Sequence, residues 1–289
     1  MPGCATSAGR RAEPRGYSRQ MADDLAPLRT AIEALPGRAG LILVAADGTE
    51  LFAHEADAAV PAASVIKIPL VMTLYADAAE GRLSLDERRA VGAPVDGSGV
   101  LRHLGGVSDL TLRDLAMLTV IVSDNTATNR LIERVGLDRV AERLREWGCS
   151  GTRLARAMFD LDATRRGADN VIVPREVALL LRMLLRGECG GRAASDAVLA
   201  VLERTQDDSL LRRYLPAGVR LAHKTGSLEG VRNDAGIVYG DRPVIAVGCV
   251  REVSDIRLAR SLLGLFGWIA YRSAGGPVRG LPSEWPAAS

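Results

Sequence analysis

Lysine is the scarcest charged residue type in this sequence. The chain of 289 residues contains 37 lysines and arginines, but only Lys67 and Lys224 are lysines. A guanidinium group is effectively always protonated, whereas a buried ammonium group loses its proton much more readily. A chain that uses arginine almost everywhere is expected to keep lysine where arginine cannot replace it. Both lysines are therefore candidate functional residues.

Cysteine and histidine are also sparse, and they are spread along the chain. They are Cys4, Cys149, Cys189 and Cys249, together with His54, His103 and His223. The absence of a Cys-x-x-Cys pair or a close His/Cys group argues against a zinc site, and we expect neither a metal ion nor another cofactor. The cysteines are expected to be free thiols in a reducing compartment.

Long hydrophobic runs are absent. The first twenty residues lack the apolar segment of a secretion or lipoprotein signal, and no stretch approaches the roughly 20 apolar residues of a membrane-spanning helix. We therefore expect a cytoplasmic protein with no membrane partner, starting at Met1 or near Met21. A net charge of +2 gives no reason to expect a nucleic acid partner. We expect a monomer that acts on a small molecule.

The segments that are present follow the order helix, two strands, a block of helices, three strands, helix. Asp47-Gly48 between two apolar runs predicts a hairpin. The order predicts an α/β (α+β) fold, in which a five-stranded antiparallel sheet is flanked by N- and C-terminal helices and carries an inserted all-helical subdomain. The predicted organisation is a disordered tail at 1–20, a sheet subdomain at 21–60 and 205–275, a helical subdomain at 61–204, and a second tail at 276–289.

Two helix starts within the helical block have recognisable signals. Thr111 and Asp114 have the spacing of a capping box, and Pro174 fits the first turn of a later helix.

Three short motifs place polar residues around the two lysines. "SVIK" puts Ser64 and Lys67 on one face of a helix, where an amine is close enough to take the serine's proton. "SDN" covers Ser123 to Asn125 and "KTG" covers Lys224 to Gly226. Each motif is weak alone, but the three in this order and spacing form a specific signal.

With these motifs the chain resembles the penicillin-recognising serine hydrolases, and most closely the class A β-lactamases. The resemblance extends from about Gly40 to the end of the last helix. It implies a β-lactamase/transpeptidase-like fold with the site between its two subdomains, and acyl transfer through a serine ester.

The resemblance also implies the roles of the catalytic residues. Ser64 would be the nucleophile, Lys67 the base that activates it, and Ser123 the relay of a proton to the leaving nitrogen. Lys224 would supply positive potential at the strand edge. The amides of Ser64 and Ser227 would form the oxyanion hole, which usually contributes most to acyl transfer.

The same resemblance implies a set of substrate-binding residues. Asn125 would hold the substrate's side-chain amide, Thr225 its carboxylate, and Gly226 would let the substrate lie along the strand. Arg232 matches a carboxylate-binding arginine only with a one-residue gap, and an ordinary surface arginine is the alternative. His223 has no evident carboxylate partner, so we expect a packed strand histidine.

The pattern is broken in the loop from Gly151 to Pro174. Class A enzymes use a loop glutamate to activate the water that hydrolyses the acyl-enzyme, and this loop contains none. Counting forward from "TRL" puts Met158 in its place, and counting back from Pro174 puts Ala157 there. Asp160 or Asp162 could act as a substitute base, or each could be a solvated or salt-bridged acid.

These observations leave three hypotheses. The first is a class A β-lactamase-like serine hydrolase that cleaves an amide or ester, with β-lactams among the candidates, through acyl-Ser64 and deacylates slowly. The second is an esterase or D-amino-acid peptidase on the same scaffold. The third is a binding or sensor domain that is acylated or holds ligand without turnover.

Overall fold

A five-stranded antiparallel sheet forms the centre of the molecule. The computed structural model describes residues 15–277 and 280–282. With strands numbered along the chain, the sheet consists of β1 (Arg38–Ala45), β2 (Glu50–His54), β7 (Leu221–Leu228), β8 (Val231–Val238) and β9 (Val244–Arg251). Their order is β2-β1-β9-β8-β7, so strands from the two ends of the chain meet where β1 pairs with β9. This confirms the predicted five-stranded sheet.

Short turns connect the neighbouring strands of the sheet. The predicted Asp47-Gly48 turn joins β1 to β2, with Gly48 at φ +100° and the Thr49 amide donating to the Asp47 carboxylate at 2.9 Å. Only Glu229 and Gly230 separate β7 from β8, and Gly230 has φ +63°. Such positive φ angles favour glycine in tight hairpin turns.

Alternation of side chains along the strands divides the core into two parts. On β1, Leu41 and Leu43 face a core shared with the terminal helices α1 (Arg15–Glu33) and α9 (Ile256–Ser273), whereas Ile42 belongs to the core of the helical block. The sheet is therefore covered on both faces, with the chain's two terminal helices on one of them.

The helical block lies against the other face. Its helices are α2 (Lys67–Ala79), α3 (Leu112–Ile121), α4 (Asn125–Val135), α5 (Leu137–Glu146), α6 (Leu161–Arg165), α7 (Pro174–Arg186) and α8 (Arg192–Leu202). Every residue of α2 from Lys67 to Asp77 is buried, so this helix is the axis on which the block packs. A helix that is apolar around most of its circumference is expected in such a central position.

The predicted helix starts are confirmed. Thr111 is the N-cap of α3, its hydroxyl accepting from the Asp114 amide at 3.1 Å, and Pro174 occupies the first turn of α7. The block is not wholly helical, because it also contains two small sheets. These pair β3 (Val60–Pro61) with β6 (Val171–Ile172), and β4 (Arg88–Ala90) with β5 (Asp109–Thr111).

A buried ion cluster ties α2 to α5. Asp77 is only 4% exposed and accepts from the guanidinium groups of Arg139 at 2.8 Å and Arg143 at 2.7 Å. Hydrogen bonds from these two arginines outweigh the effect of burial and keep the pKa of Asp77 below its usual value. The paired charges fix the rotation of α5 against the central helix.

Some of the sequence-based predictions concern the two ends of the chain. The described residues do not include 1–14 of the predicted N-terminal tail, where Cys4 lies, or most of the predicted tail at 276–289. Helix α1 begins at Arg15, within the tail predicted at 1–20. Cys149, Cys189 and Cys249 are free and buried. Among residues 15–277 and 280–282, no helix is long and apolar enough to cross a membrane, and no group of three or more potential metal ligands occurs.

Candidate active site

Ser64 lies at the boundary between the two subdomains. It belongs to a short 3-10 turn, Ala63–Ile66, that leads directly into α2. Ala63 has φ +46°, a strained conformation for a residue with a side chain, and it turns the chain sharply just before the serine. Ser64 is half-buried and lines two cavities of about 270 Å³ each, which meet at this residue.

Lys67 is completely buried one turn after Ser64. Its ammonium group donates to the Ser123 carbonyl at 2.7 Å, the Ser123 hydroxyl at 3.1 Å and the Asn125 side-chain oxygen at 2.8 Å. Burial lowers the pKa of Lys67 well below its usual 10.5, the positive charge of Lys224 lowers it further, and Asp124 opposes the shift. A lysine with a lowered pKa is a suitable general base, and arginine would not be.

The "SDN" segment presents Ser123 and Asn125 to Lys67. Ser123 has φ +55°, and this turn aims both its carbonyl and its hydroxyl at the lysine. Asp124 fixes the segment, because its buried carboxylate accepts from the Ala127 amide as N-cap of α4 and from the Val100 amide at 2.6 Å. The segment is therefore held from both sides, as a preorganised site requires.

Strand β7 forms the opposite wall of the cleft. Lys224 is fully buried and donates to the Thr225 carbonyl at 2.7 Å. Burial lowers the pKa of Lys224 to about 8, although Asp234 and Asp207 act in the other direction. Lys224 therefore remains mostly protonated at neutral pH, in keeping with an electrostatic role.

Gly226 is the point of closest approach between β7 and the serine turn. A Cβ atom built on this residue would lie 2.9 Å from the Ser64 amide nitrogen, 3.0 Å from the Ala63 Cβ and 3.1 Å from the Val65 nitrogen. Glycine is therefore required here by contact with the turn, in addition to any space that a substrate needs. The next residue, Ser227, is exposed and lines both cavities with Ser64.

The second cavity is bounded by the 151–174 loop. Met158 lines it together with Phe159 and Ser64, and its backbone is fixed by Asn129, which donates to the Met158 carbonyl at 3.0 Å and accepts from its amide at 2.7 Å. Ala157 is not among the lining residues. Of the two positions that the sequence left open for the glutamate, the structure thus favours Met158.

Neither aspartate of this loop lines the cavity. Asp160 is the N-cap of α6 and accepts from the Ala163 amide at 2.8 Å, and the exposed Asp162 is paired with Arg165. The loop instead lines the cavity with neutral and basic groups, which include Arg156 and Asn170. Both acids therefore occupy structural or solvated positions.

Arg232 lies on β8 beside the β7–β8 turn. Its guanidinium group donates to the carbonyls of Leu228 at 2.8 Å and Val231 at 2.6 Å, and it lines neither cavity. Burial and the neighbouring Arg260 lower the pKa of Arg232, while Asp207 acts in the other direction. In this arrangement Arg232 fastens the turn.

The prediction that His223 lacks a carboxylate partner is wrong. The imidazole Nδ1 lies 3.0 Å from the Asp234 carboxylate, and both side chains are buried. The two residues are 11 positions apart on adjacent strands, so no local spacing indicates the pair. Asp234 also accepts from the Leu211 amide at 3.0 Å, and it lies opposite Thr225 in the pairing of β7 with β8.

Two further residues at the site were not found from the sequence. Asn233, which is fully buried, donates to the carbonyls of Pro61 at 2.8 Å and Ala62 at 3.2 Å and so attaches β8 to the chain just before Ser64. Asp207 lines the same cavity as Ser64 and Lys224. Neither lies in a recognisable motif, and their positions depend on contacts distant in sequence.

Comparisons with known proteins agree with this geometry. A model of the β-lactamase enzyme family matches residues 24–273. The chain is 31% identical to β-lactamase L2 of Stenotrophomonas maltophilia over 83% of this chain and 80% of that protein. Among solved structures, a β-lactamase from Sphaerobacter thermophilus is 33% identical with a TM-score of 0.79, covering 87% of this chain and 97% of that one. PBP-A is 28% identical with a TM-score of 0.77, covering 87% and 95% respectively. The chain belongs to the β-lactamase enzyme family and is a serine β-lactamase-like hydrolase.

Proposed function

We propose that this hydrolase cleaves an amide or ester, β-lactams among them, through an acyl-Ser64 intermediate that it releases slowly. The observation that carries the proposal is the environment of Lys67. This amine is fully buried, its pKa is lowered, and it lies one helical turn after Ser64 in contact with the Ser123 hydroxyl. An unprotonated amine in that position can accept the serine proton as the hydroxyl oxygen attacks the carbonyl carbon.

The contacts of Lys67 support a specific order of proton transfers. A protonated Lys67 uses all three N–H groups on Ser123 and Asn125. A neutral amine has two N–H groups and one lone pair, so one of these contacts must give way before Ser64 can be deprotonated. Because Lys67 touches the Ser123 hydroxyl, the proton taken from Ser64 can pass through Ser123 to the leaving nitrogen or oxygen.

The second half of the reaction lacks its usual base. A glutamate at the Met158 position would line the same cavity as Ser64, whereas the methionine thioether cannot take a proton from water. A leucine-to-glutamate mutant of the related PBP-A has been crystallised as an acyl-enzyme complex with penicillin G, at 27% identity to this chain and a TM-score of 0.77. That relative supports acylation by penicillin on a scaffold of this kind.

Intact-mass measurement after mixing with benzylpenicillin tests the proposal. We expect an adduct of the whole penicillin on Ser64 that persists for many minutes, and no adduct in Ser64→Ala. Absence of any adduct in the wild-type protein would refute the acyl-enzyme. Rapid loss of the adduct with steady hydrolysis would refute slow release.

Met158→Glu tests the origin of the slow step. We expect deacylation to accelerate by about 10²-fold or more, since a positioned general base typically contributes about 10²–10⁴-fold. Leu161→Glu is the matched control, because Leu161 lines the same cavity but is 60% exposed and follows the cap of α6. Equal acceleration in both variants would show that added negative charge, and not the position of the base, is responsible.

A further inference from the structure

The cleft has two arms that share Ser64, Ser98 and Ser227. One arm is lined by Ser123, Lys224, Thr225 and Asp207, and the other by Met158 and its neighbours on the loop. Ser123 is the group placed to protonate the departing atom. The leaving group departs from the carbonyl carbon as Ser64 bonds to that carbon, so it must lie in the Ser123 arm, which we call the leaving-group arm.

Asp207 brings a negative charge into the leaving-group arm. It lies in the segment between α8 and β7, and neighbouring hydrogen bonds fix that segment. The Gln206 amide donates to the Ile121 carbonyl at 3.0 Å, the Thr205 hydroxyl donates to the His223 carbonyl at 2.5 Å, and the Ser209 amide donates to the Asp207 carboxylate at 3.0 Å. The carboxylate is thus held in place at the cavity wall and is not a freely moving surface group.

Asp207 also interacts with the two "KTG" residues that would otherwise receive an anion. Asp207 lines the same cavity as Lys224 and Thr225, and the positive charge of Lys224 acts on its carboxylate. Although burial opposes ionisation, hydrogen bonds from Ser209 and Thr225 and the charge of Lys224 lower the pKa of Asp207 below its usual value. The group is therefore ionised at neutral pH.

The charges around Asp207 decide what the arm accepts. The ammonium group of Lys224 donates to the Thr225 carbonyl, and the negative charges of Asp234 and Asp207 both act on it. Arg232 also acts on Asp207, but its guanidinium group is bonded to the turn carbonyls. A substrate carboxylate in this arm would therefore meet an existing carboxylate at the cavity wall.

We propose that Asp207 makes the leaving-group arm selective for substrates that carry a neutral or cationic group there, and against substrates that carry a carboxylate. This inference rests on the proposed acylation of Ser64. It favours neutral or amine-bearing esters and amides as substrates over ordinary penicillins, whose carboxylate would lie beside Asp207.

Three probes with the same acyl part test the inference. They are benzylpenicillin, its uncharged methyl ester and its cationic 2-(dimethylamino)ethyl ester. The rate of Ser64 adduct formation is measured by intact mass for the wild type, Asp207→Asn and the control Asp208→Asn. Asp208 is the adjacent residue, is 68% exposed at its side chain, pairs with Arg212 and does not line the arm.

The expected result is a change that depends on the probe's charge. In Asp207→Asn, acylation by benzylpenicillin should become about tenfold faster, that by the methyl ester should stay within about twofold, and that by the cationic ester should become about tenfold slower. A unit charge acting over about 7 Å at an effective dielectric constant of about 40 changes a rate by about this factor. Asp208→Asn should leave all three rates within about twofold of the wild type.

Failure of this inference can be told apart from failure of the acylation mechanism. If all three probes acylate but Asp207→Asn changes them equally, or if Asp208→Asn gives the same pattern, the inference is overturned while acylation stands. If no probe forms an adduct, the proposed function fails. Calorimetry then measures the non-covalent affinities of the three probes for Ser64→Ala, with and without Asp207→Asn. The inference stands if Asp207→Asn changes these affinities with the same dependence on probe charge, and it is overturned if all three change equally.

Discussion

Gly226→Ala is expected to impair catalysis by moving the serine turn away from β7. The added Cβ would lie 2.9 Å from the Ser64 nitrogen, whereas ordinary contact begins near 3.4 Å, so the two elements must separate by about 0.5 Å. The atoms in contact are two backbone nitrogens and a Cβ, which cannot rotate away. A displacement of about 1 Å in a catalytic group can cost about 10²-fold in rate, and the loss of one oxyanion donor costs about 10²–10³-fold. We expect acylation of Ser64 to slow by about 10- to 100-fold.

The same substitution should have a moderate effect on stability. Adding one methyl group to a closely packed contact typically costs about 1–3 kcal/mol in the free energy of unfolding. Adduct formation with benzylpenicillin and urea unfolding, followed in parallel, separate the two effects. Gly105→Ala is the control, because a Cβ added to Gly105 would have no atom within 4 Å and the residue has no positive φ. An acylation rate for Gly226→Ala within about twofold of the wild type would refute the close-approach argument.

Three other predictions concern the buried charges. Lys67→Arg should slow acylation of Ser64, measured by adduct mass, by about 10²–10⁴-fold because guanidinium cannot act as a base. Lys224→Arg keeps the positive charge and should slow acylation less. Equal acylation rates for the wild type and Lys67→Arg would remove the general-base role. Because the pKa of Lys224 is about 8 when folded and 10.5 normally, the unfolded chain binds more protons between these values. The free energy of unfolding of the wild type should therefore rise relative to Lys224→Met between about pH 8 and pH 10.5, by up to about 3 kcal/mol, as urea titrations at each pH would show; a falling difference contradicts the shift. Asp77→Ala leaves Arg139 and Arg143 without their shared carboxylate and should lower the free energy of unfolding, measured in urea, by about 3–5 kcal/mol. A decrease below about 1 kcal/mol would show that water takes the place of the carboxylate.

Local patterns in the sequence predicted much of the fold. The Asp47-Gly48 turn, the Thr111 cap and the first-turn Pro174 each act within a few residues, and all are present in the structure. Helix α8 falls within the predicted helical subdomain, but its start was missed, because its N-cap, Gly191, makes no side-chain hydrogen bond that would mark it. The β3–β6 pair was also missed, since two-residue strands have no period to recognise.

The candidate site was predictable only where its residues lie in motifs. Ser64, Lys67, Ser123 and Lys224 come together in the structure as their motifs indicate. Asp207 and the His223–Asp234 pair depend on how separate segments are brought together by the sheet, so sequence spacing does not show them. The sequence likewise left Met158 and Ala157 as alternatives, because the backbone of Met158 is fixed by Asn129, a residue distant in sequence.

The pairing of β1 with β9 has a consequence for the time at which the protein becomes reactive. Leu41 lies opposite Gly248, so the sheet closes only when two segments about 200 residues apart in sequence meet. Contacts this distant in sequence form slowly and late, whereas helices form from local contacts. A chain with a folded helical block but an open sheet would contain Ser64 and Lys67 without the wall that holds Lys224. Covalent labelling of Ser64 during refolding would therefore report the moment when the two chain ends meet.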